Sequence, residues 1–166
     1  MLFVLDASAI LNEPNFEFGK GNNYVTTPLV VKEFKSMESR LLVENALRHG
    51  LLEVRAPKHV FFVQAQSLVE EHGYRISRAD ISVIALGLEL LAEKREFVVL
   101  TDDFSIQNFL GIAGVPYSSV IQGEIRETFS FSKKCPACGK VFHSSLKKCP
   151  DCGVQLKSIL KKKKLK

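Results

Sequence analysis

No cysteine occurs before residue 135, although the chain has four. Long hydrophobic runs are also missing. The longest, residues 81–92, is interrupted by Glu89 and falls short of the ~20 residues a spanning helix needs. The opening residues Met1-Leu2-Phe3-Val4-Leu5 have neither a basic lead nor a small-residue cleavage site, so no secretory signal is expected. GxSxG, P-loop and Rossmann glycine patterns are absent, which leaves acyl transfer, P-loop nucleotide hydrolysis and hydride transfer without support. The four histidines, His49, His59, His72 and His143, are scattered and read as surface or packing residues. There is no internal repeat.

What is present divides the chain in two. At 166 residues and 46% apolar composition there is room for one ordinary core and a small module. The formal net charge of +5 conceals an asymmetry. Residues 1–132 hold 12 Lys and Arg against 17 Asp and Glu, whereas residues 133–166 hold 11 Lys and a single acid, Asp151. An acidic body thus carries a basic end, the pattern of a polyanion-binding module attached to a part that uses acids. A merely solubilising lysine run is the bland alternative for Lys161–Lys164.

All four cysteines fall in two identical knuckles, Cys135-Pro136-Ala137-Cys138-Gly139 and Cys149-Pro150-Asp151-Cys152-Gly153. Proline stiffens each turn, and glycine permits a positive φ so that backbone N–H groups fold back onto sulfur. The spacing is that of a closed, tetrahedral structural zinc site; iron, a pair of disulfides and a redox CxxC fit it less well. Reduced, metal-binding cysteines without a leader point to the cytosol. Lys140, Lys147 and Lys148 together with Phe142 give this ribbon the charge and aromatic mix of a nucleic-acid surface.

The body alternates strand and helix signals. Strands are expected at 2–5, 24–26, 52–55 and 97–100, with an edge strand near 115–117 where proline is tolerated. Thr27 and Pro28 suit the N-cap and first position of a helix running toward His49-Gly50. Further helices are expected over 57–71, from Ser77 to about 94, and from Asp103 to Leu110, the last ended by Gly111. This order implies an α/β fold, a parallel sheet sandwiched by helices. The expected divisions are residues 1–120 as this domain, 121–132 as a linker with a short strand near 128–131, 133–156 as the zinc ribbon and 157–166 as a basic tail.

Ligands of open α/β sheets bind at the carboxyl ends of strands. Asp6 follows the first strand, and Asp102 and Asp103 follow the strand at 97–100. Glu33 and Asp80 fall in early turns of their helices. Each acid has a structural explanation: Asp6 and Asp103 suit N-caps, and Ser77-Arg78-Ala79-Asp80 matches a capping box. Glu33 is hardest to explain so. Four carboxylates at one sheet edge repel, and a divalent cation relieves them. Carboxylates without a histidine cluster suit Mg²⁺ or Mn²⁺. Nearby Lys32, Lys35, Arg75 and Arg78 read as ordinary surface charge.

The ordered set Val4-Leu5-Asp6-Ala7-Ser8, Glu33, Asp80 and Leu100-Thr101-Asp102-Asp103 resembles the PIN-domain ribonucleases. Followed by a CPxCG ribbon and lysine tail, and with Phe104-Ser105-Ile106-Gln107-Asn108 after the last acids, it is similar to the archaeal-type Nob (“Nob-one”) family of ribosome-assembly endoribonucleases. That resemblance implies a divalent-metal-dependent endonuclease acting on precursor small-subunit ribosomal RNA at its mature 3′ end, leaving a 5′-phosphate and a 3′-hydroxyl. It implies Asp6, Glu33, Asp80 and one of Asp102 and Asp103 as catalytic acids, Asp6 and Asp103 as first choices for direct metal ligands, and Ser8 and Thr101 as supporting hydroxyls. Expected partners are the RNA precursor, the small ribosomal subunit and assembly factors, with no membrane. Two other readings stand beside it: a toxin-type PIN ribonuclease, and a non-catalytic RNA-binding assembly protein whose acids only cap helices. The residues by themselves do not separate RNA from DNA.

Overall fold

A computed structural model describes residues 1–13, 15–19, 21–120, 127–142 and 146–164, with only the backbone described at 127–131 and 160–164. Short apolar strands with little amphipathic alternation belong inside a parallel sheet covered on both faces. Here β1 (Leu2–Leu5), β2 (Asn23–Thr26), β3 (Leu52–Val54), β4 (Phe97–Leu100) and β5 (Tyr117–Ser118) form one parallel sheet in the order β3-β2-β1-β4-β5. The chain winds outward from β1 to β3 and then returns to the other side of β1. The strand order therefore reverses between β1 and β4, where such sheets place their ligands.

Helices α1 (Ala7–Leu11), α2 (Pro28–Val31), α3 (Met37–Arg48), α4 (His59–Glu71), α5 (Arg78–Ala92) and α6 (Phe104–Ala113) make the crossovers. The apolar run at 81–92 becomes α5, a helix buried nearly all round from Ala79 to Leu90. Gly87 lets it sit close: a Cβ there would lie 2.9 Å from Val115 Cγ1. Among the described residues no helix is long and apolar enough to cross a membrane.

Four local expectations shift. The helix expected from Thr27 to His49 is two helices. Thr27 does cap α2, but Ser36 opens α3 by accepting from Ser39 N–H at 3.2 Å. Phe34 is buried in the break, and Arg40 Nε donates to its carbonyl at 2.9 Å, which satisfies a group the interrupted helix would leave unpaired. Glu33 consequently sits in a turn after α2, not in a second helical turn. Gly111 stays inside α6, which ends instead at Gly114 with φ +69°. The edge strand starts two residues later than expected, at β5, because the proline precedes it.

The fourth shift concerns the C-terminal part. The short strand expected near 128–131 in the linker forms and extends to β6 (Glu127–Lys134). Residues 157–164, expected as a tail, form β8 (Lys157–Lys164) and pair antiparallel with β6 from Lys134↔Lys157 to Glu127↔Lys164. With β7 (Val141–Phe142) they make a three-stranded sheet in the order β7-β6-β8. The expectation undervalued pairing: strands joined through the four-cysteine hairpin gain ladder hydrogen bonds that a lysine run alone does not suggest. His49 is exposed and His72 partly buried beside Phe109, their rings bonded to the Asn45 and Leu68 carbonyls. His59 opens α4, and His143 lies outside the described residues.

Candidate active site and metal centre

Asp6 stands where β1 ends, and its N–H still donates to the Leu100 carbonyl at 3.1 Å, so β1 and β4 stay in step to the site. The side chain is almost wholly buried, with 2% exposed. Its Oδ2 accepts from Ser8 N–H (3.3 Å), Ser8 Oγ (2.6 Å) and Thr101 Oγ1 (2.9 Å). The same hydroxyls accept in turn: Asp102 N–H donates to Ser8 Oγ at 2.9 Å and Asp103 N–H to Thr101 Oγ1 at 3.1 Å. The two supporting hydroxyls thus pin both neighbouring loops to one carboxylate. Burial raises the Asp6 pKa, against the lowering effect of these donors.

The adjacent acids 102 and 103 are placed differently. Asp102 is buried, with 4% exposed, and its Oδ1 accepts from Ser119 Oγ and, at 3.0 Å, from Val120 N–H. It anchors the segment leaving β5. Asp103 caps α6 through Ser105 N–H at 2.6 Å, and its charge raises the pKa of Asp80. Asp103 thereby shares the electrostatic field of Asp80.

Asp80 completes the expected capping box with Ser77 at the start of α5. Burial raises its pKa, and the charges of Asp6 and Asp103 add to this. Burial likewise raises Glu33, with Asp80 and Asp6 contributing and Lys35 opposing. Four elements therefore bring Asp6, Glu33, Asp80 and Asp103 into one field at the switch point. Their ligand atoms do not converge as tightly as the cysteines do: among the described residues only the cysteines form a group of three or more within 4.8 Å of one another. Mutually repelling carboxylates of this kind fit an oxygen-seeking divalent cation. A hollow of about 150 Å³, lined among others by Leu2, Asn23, Leu51 and Arg95, lies toward the opposite ends of the strands and contains none of these acids.

Repulsion gives a testable sign. Glu33 has a higher pKa folded than unfolded, so folding takes up protons and stability falls as pH rises through that window. Without divalent ions, Glu33→Gln should melt about 2 °C above the parent at pH 8, with the gain vanishing below the ordinary carboxylate range. Calorimetry at pH 8 and pH 3.5 checks this; a lower melting temperature at pH 8 contradicts it.

The cysteines build the second centre. Cys135 and Cys149 are buried, Cys138 and Cys152 exposed, and all four are free thiols. Cys135 N–H donates to the Lys140 carbonyl and Cys149 N–H to that of Val154, closing the two knuckles alike. The Cys138 N–H, 3.5 Å from Cys135 Sγ, holds that thiol down at about 7. Hydrogen bonding to Cys138 and burial push Cys152 up to about 12. Four sulfurs this close cannot all ionise without a cation, and the set is a complete tetrahedral donor set. The surrounding core is only Cys135, Cys149 and Leu156 with Phe142 packed against it. Stripping the ion with a strong chelator should release one metal per chain and erase amide-exchange protection in residues 133–156, leaving α5 protected. Retained protection there would show that the ribbon holds without metal.

Lys140, Lys147 and Lys148 are exposed, and Lys140 pairs with Asp151 at 2.7 Å. Phe142, the aromatic of the expected nucleic-acid surface, is partly buried and packs against the ribbon core. Arg78 lies over the Phe62 ring, 5.6 Å from its centroid. Gln107, in contrast, emerges with a part in the site: wholly buried on α6, it donates to the Thr101 carbonyl at 3.0 Å. Its sequence signal was a polar pair, Gln107-Asn108, on a helix otherwise apolar in its middle.

The α/β body with acids flanking its switch point defines a class, and residues 3–90 match the family model for the PIN domain of ribonuclease. The chain belongs to the PIN-domain ribonucleases. It is 34% identical to endoribonuclease Nob1 of Methanothermobacter thermautotrophicus over 141 residues, covering 84% of this chain and 80% of that relative. Identity to endoribonuclease Nob1 of Methanocaldococcus jannaschii is 32%, covering 84% of this chain and 66% of the relative. For that of Pyrococcus abyssi it is 30%, with 84% of both chains covered. Within the PIN ribonucleases the chain groups with the Nob1 endoribonucleases.

Proposed function

We propose that this protein is a cytoplasmic, divalent-metal-dependent endoribonuclease that trims precursor small-subunit ribosomal RNA at its 3′ end. The observation that carries the reading is the meeting of Asp6, Glu33, Asp80 and Asp103 at the switch point, each from a different element. Helix capping accounts for Asp6, Asp80 and Asp103 but not for Glu33, which sits in a turn and caps nothing. That residue favours a nuclease over a purely structural set of acids. The relatives' name, endoribonuclease Nob1, supplies RNA and endonucleolytic cutting, the motif resemblance adds ribosome assembly, and 30–34% identity over 84% of the chain, against 26% over 86% for a ribonuclease VapC1, favours this over a toxin-type nuclease.

Asp6 and Asp103 would hold Mg²⁺ or Mn²⁺, with Asp80 and Glu33 completing the set. A bound ion of this kind supplies a water nucleophile at neutral pH and stabilises charge on the phosphate and the leaving oxygen. The protein's own part is positional. Ser8 and Thr101 fix the buried Asp6 carboxylate, Gln107 fixes the Thr101 carbonyl, and the α6 cap fixes Asp103. Ribbon lysines grip the RNA backbone, and zinc in the four-cysteine site keeps that surface folded.

Cleavage of a short RNA spanning a small-subunit precursor 3′ junction, with Mn²⁺ or with EDTA, tests the reading. Cutting at one position should require the metal. Asp103→Asn should lower it on the order of 10²–10³-fold. Asp102→Asn should stay within about tenfold of the parent while melting several degrees lower, because its role is to anchor Ser119 and Val120. Metal-independent cutting, or equal losses in both variants, would refute the assignment.

A further inference from the structure

Two hydroxyls 55 residues apart in sequence meet inside the body. Thr27 Oγ1 and Ser82 Oγ are 2.6 Å apart, and the residues expose 0% and 1% of their surface. The ends of the chain set its direction. Thr27 Oγ1 accepts from Val30 N–H at 3.3 Å, capping α2. Ser82 Oγ gives its one proton to the Ala79 carbonyl at 2.6 Å. A hydroxyl has a single proton, so Thr27 must donate to Ser82. An unbroken chain of hydrogen bonds therefore runs from an α2 amide, through two hydroxyls, to an α5 carbonyl.

Neither helix needs this bridge for itself. Thr27 caps α2 without Ser82, and Ser82 back-bonds within α5 without Thr27. What the bridge adds is a fixed separation between the two elements. Glu33 lies two residues beyond the end of α2, and Asp80 lies two residues before Ser82. These carboxylates repel each other, and α2, only four residues long, meets α5 over a short seam with a single buried apolar residue, Val30. A buried hydroxyl pair, shielded from competing water, resists that repulsion.

We propose that the Thr27–Ser82 bridge is a positioning device that sets Glu33 against Asp80 and thereby tunes the affinity of the acidic site for divalent cations. The inference rests on the reading of those acids as a metal-binding nuclease site. Neither hydroxyl reaches the reacting atoms.

The test uses the full chain. Mn²⁺ binding is followed by the electron paramagnetic resonance signal of the free ion, and RNA cutting is titrated with Mn²⁺. Ser82→Ala and Thr27→Val should each raise the half-saturating Mn²⁺ concentration about tenfold, the usual effect of losing a group that orients metal ligands. Cutting at saturating Mn²⁺ should stay within about threefold of the parent. Thr27→Ser, which keeps the hydroxyl, should behave as the parent. The double variant should be no worse than Thr27→Val alone, since both remove one interaction. Asp80→Asn serves as the benchmark for a direct loss. If it weakens Mn²⁺ binding while Ser82→Ala and Thr27→Val do not, the positioning role is overturned. Lower melting temperatures with unchanged Mn²⁺ affinity, or no rescue by Thr27→Ser, overturn it equally. If Asp80→Asn also binds and cuts like the parent, the metal-site reading itself fails. Should Thr27→Val not fold, Ser82→Ala leaves the α2 cap intact and decides alone.

Discussion

Asp6→Asn should reduce RNA cutting on the order of 10³-fold and leave RNA affinity within twofold of the parent. Asp6 is the residue on which the site converges: Ser8, Thr101 and the loops of Asp102 and Asp103 are all tied to it. Asparagine keeps the shape and one acceptor oxygen but removes the charge a divalent cation needs. Affinity should survive because a side chain 2% exposed offers RNA almost nothing to touch. Stability should also survive without metal. The Asp6 pKa is raised on folding, chiefly by burial, so its ionised form costs stability increasingly as pH rises through that window. Asparagine carries no such cost, and the variant should melt no more than a few degrees below the parent at pH 8. Single-turnover cleavage, filter binding and calorimetry read the three outcomes. Full activity with the parent's metal dependence would remove Asp6 from the site.

Replacing Lys140, Lys147 and Lys148 together by alanine should weaken RNA binding ten- to a hundredfold at moderate salt. It should also flatten the log–log salt dependence by about 2, given roughly 0.7–0.9 per phosphate contact. The three positions bracket the metal knuckles: Leu156 N–H donates to the Lys147 carbonyl, and Lys148 bridges to Gln155. Their backbones are held rigidly while their side chains stay exposed. The 2.7 Å pair of Lys140 with Asp151 is exposed on both sides, so screening keeps it from withholding that lysine from phosphate. The body has an excess of acid over base, and it cannot replace this grip. Cutting of saturating RNA should change little, which separates the role of the ribbon from that of the acids. An unchanged salt slope would mean that RNA is held elsewhere.

Much of this was legible in the residues. Apolar strands at 2–5 and 97–100 and the capping box at Ser77 are local signals, and each formed where local chemistry pointed. The knuckle spacing led directly to four sulfurs in one cluster. The break between α2 and α3 was not legible because Ser36 reads as an ordinary polar residue until Phe34 is seen buried beside it. The β6–β8 pairing was hidden because lysine-rich segments carry no hydrophobic alternation. Asp102 and Asp103, adjacent and chemically alike, are told apart only by what faces them: Ser119 and Val120 for one, the Asp80 charge for the other. The bridge from Thr27 to Ser82 is a contact across 55 positions, beyond any local pattern.

The order of the sheet has a consequence for the chain as it is made. Asp6 leaves the ribosome almost a hundred residues before its partner Thr101, and β4 must dock against β1 to deliver it. Until that strand is in place, a growing chain carries scattered acids and no cleft. Synthesis from the N-terminus thus keeps this protein inert toward RNA until its body is nearly complete.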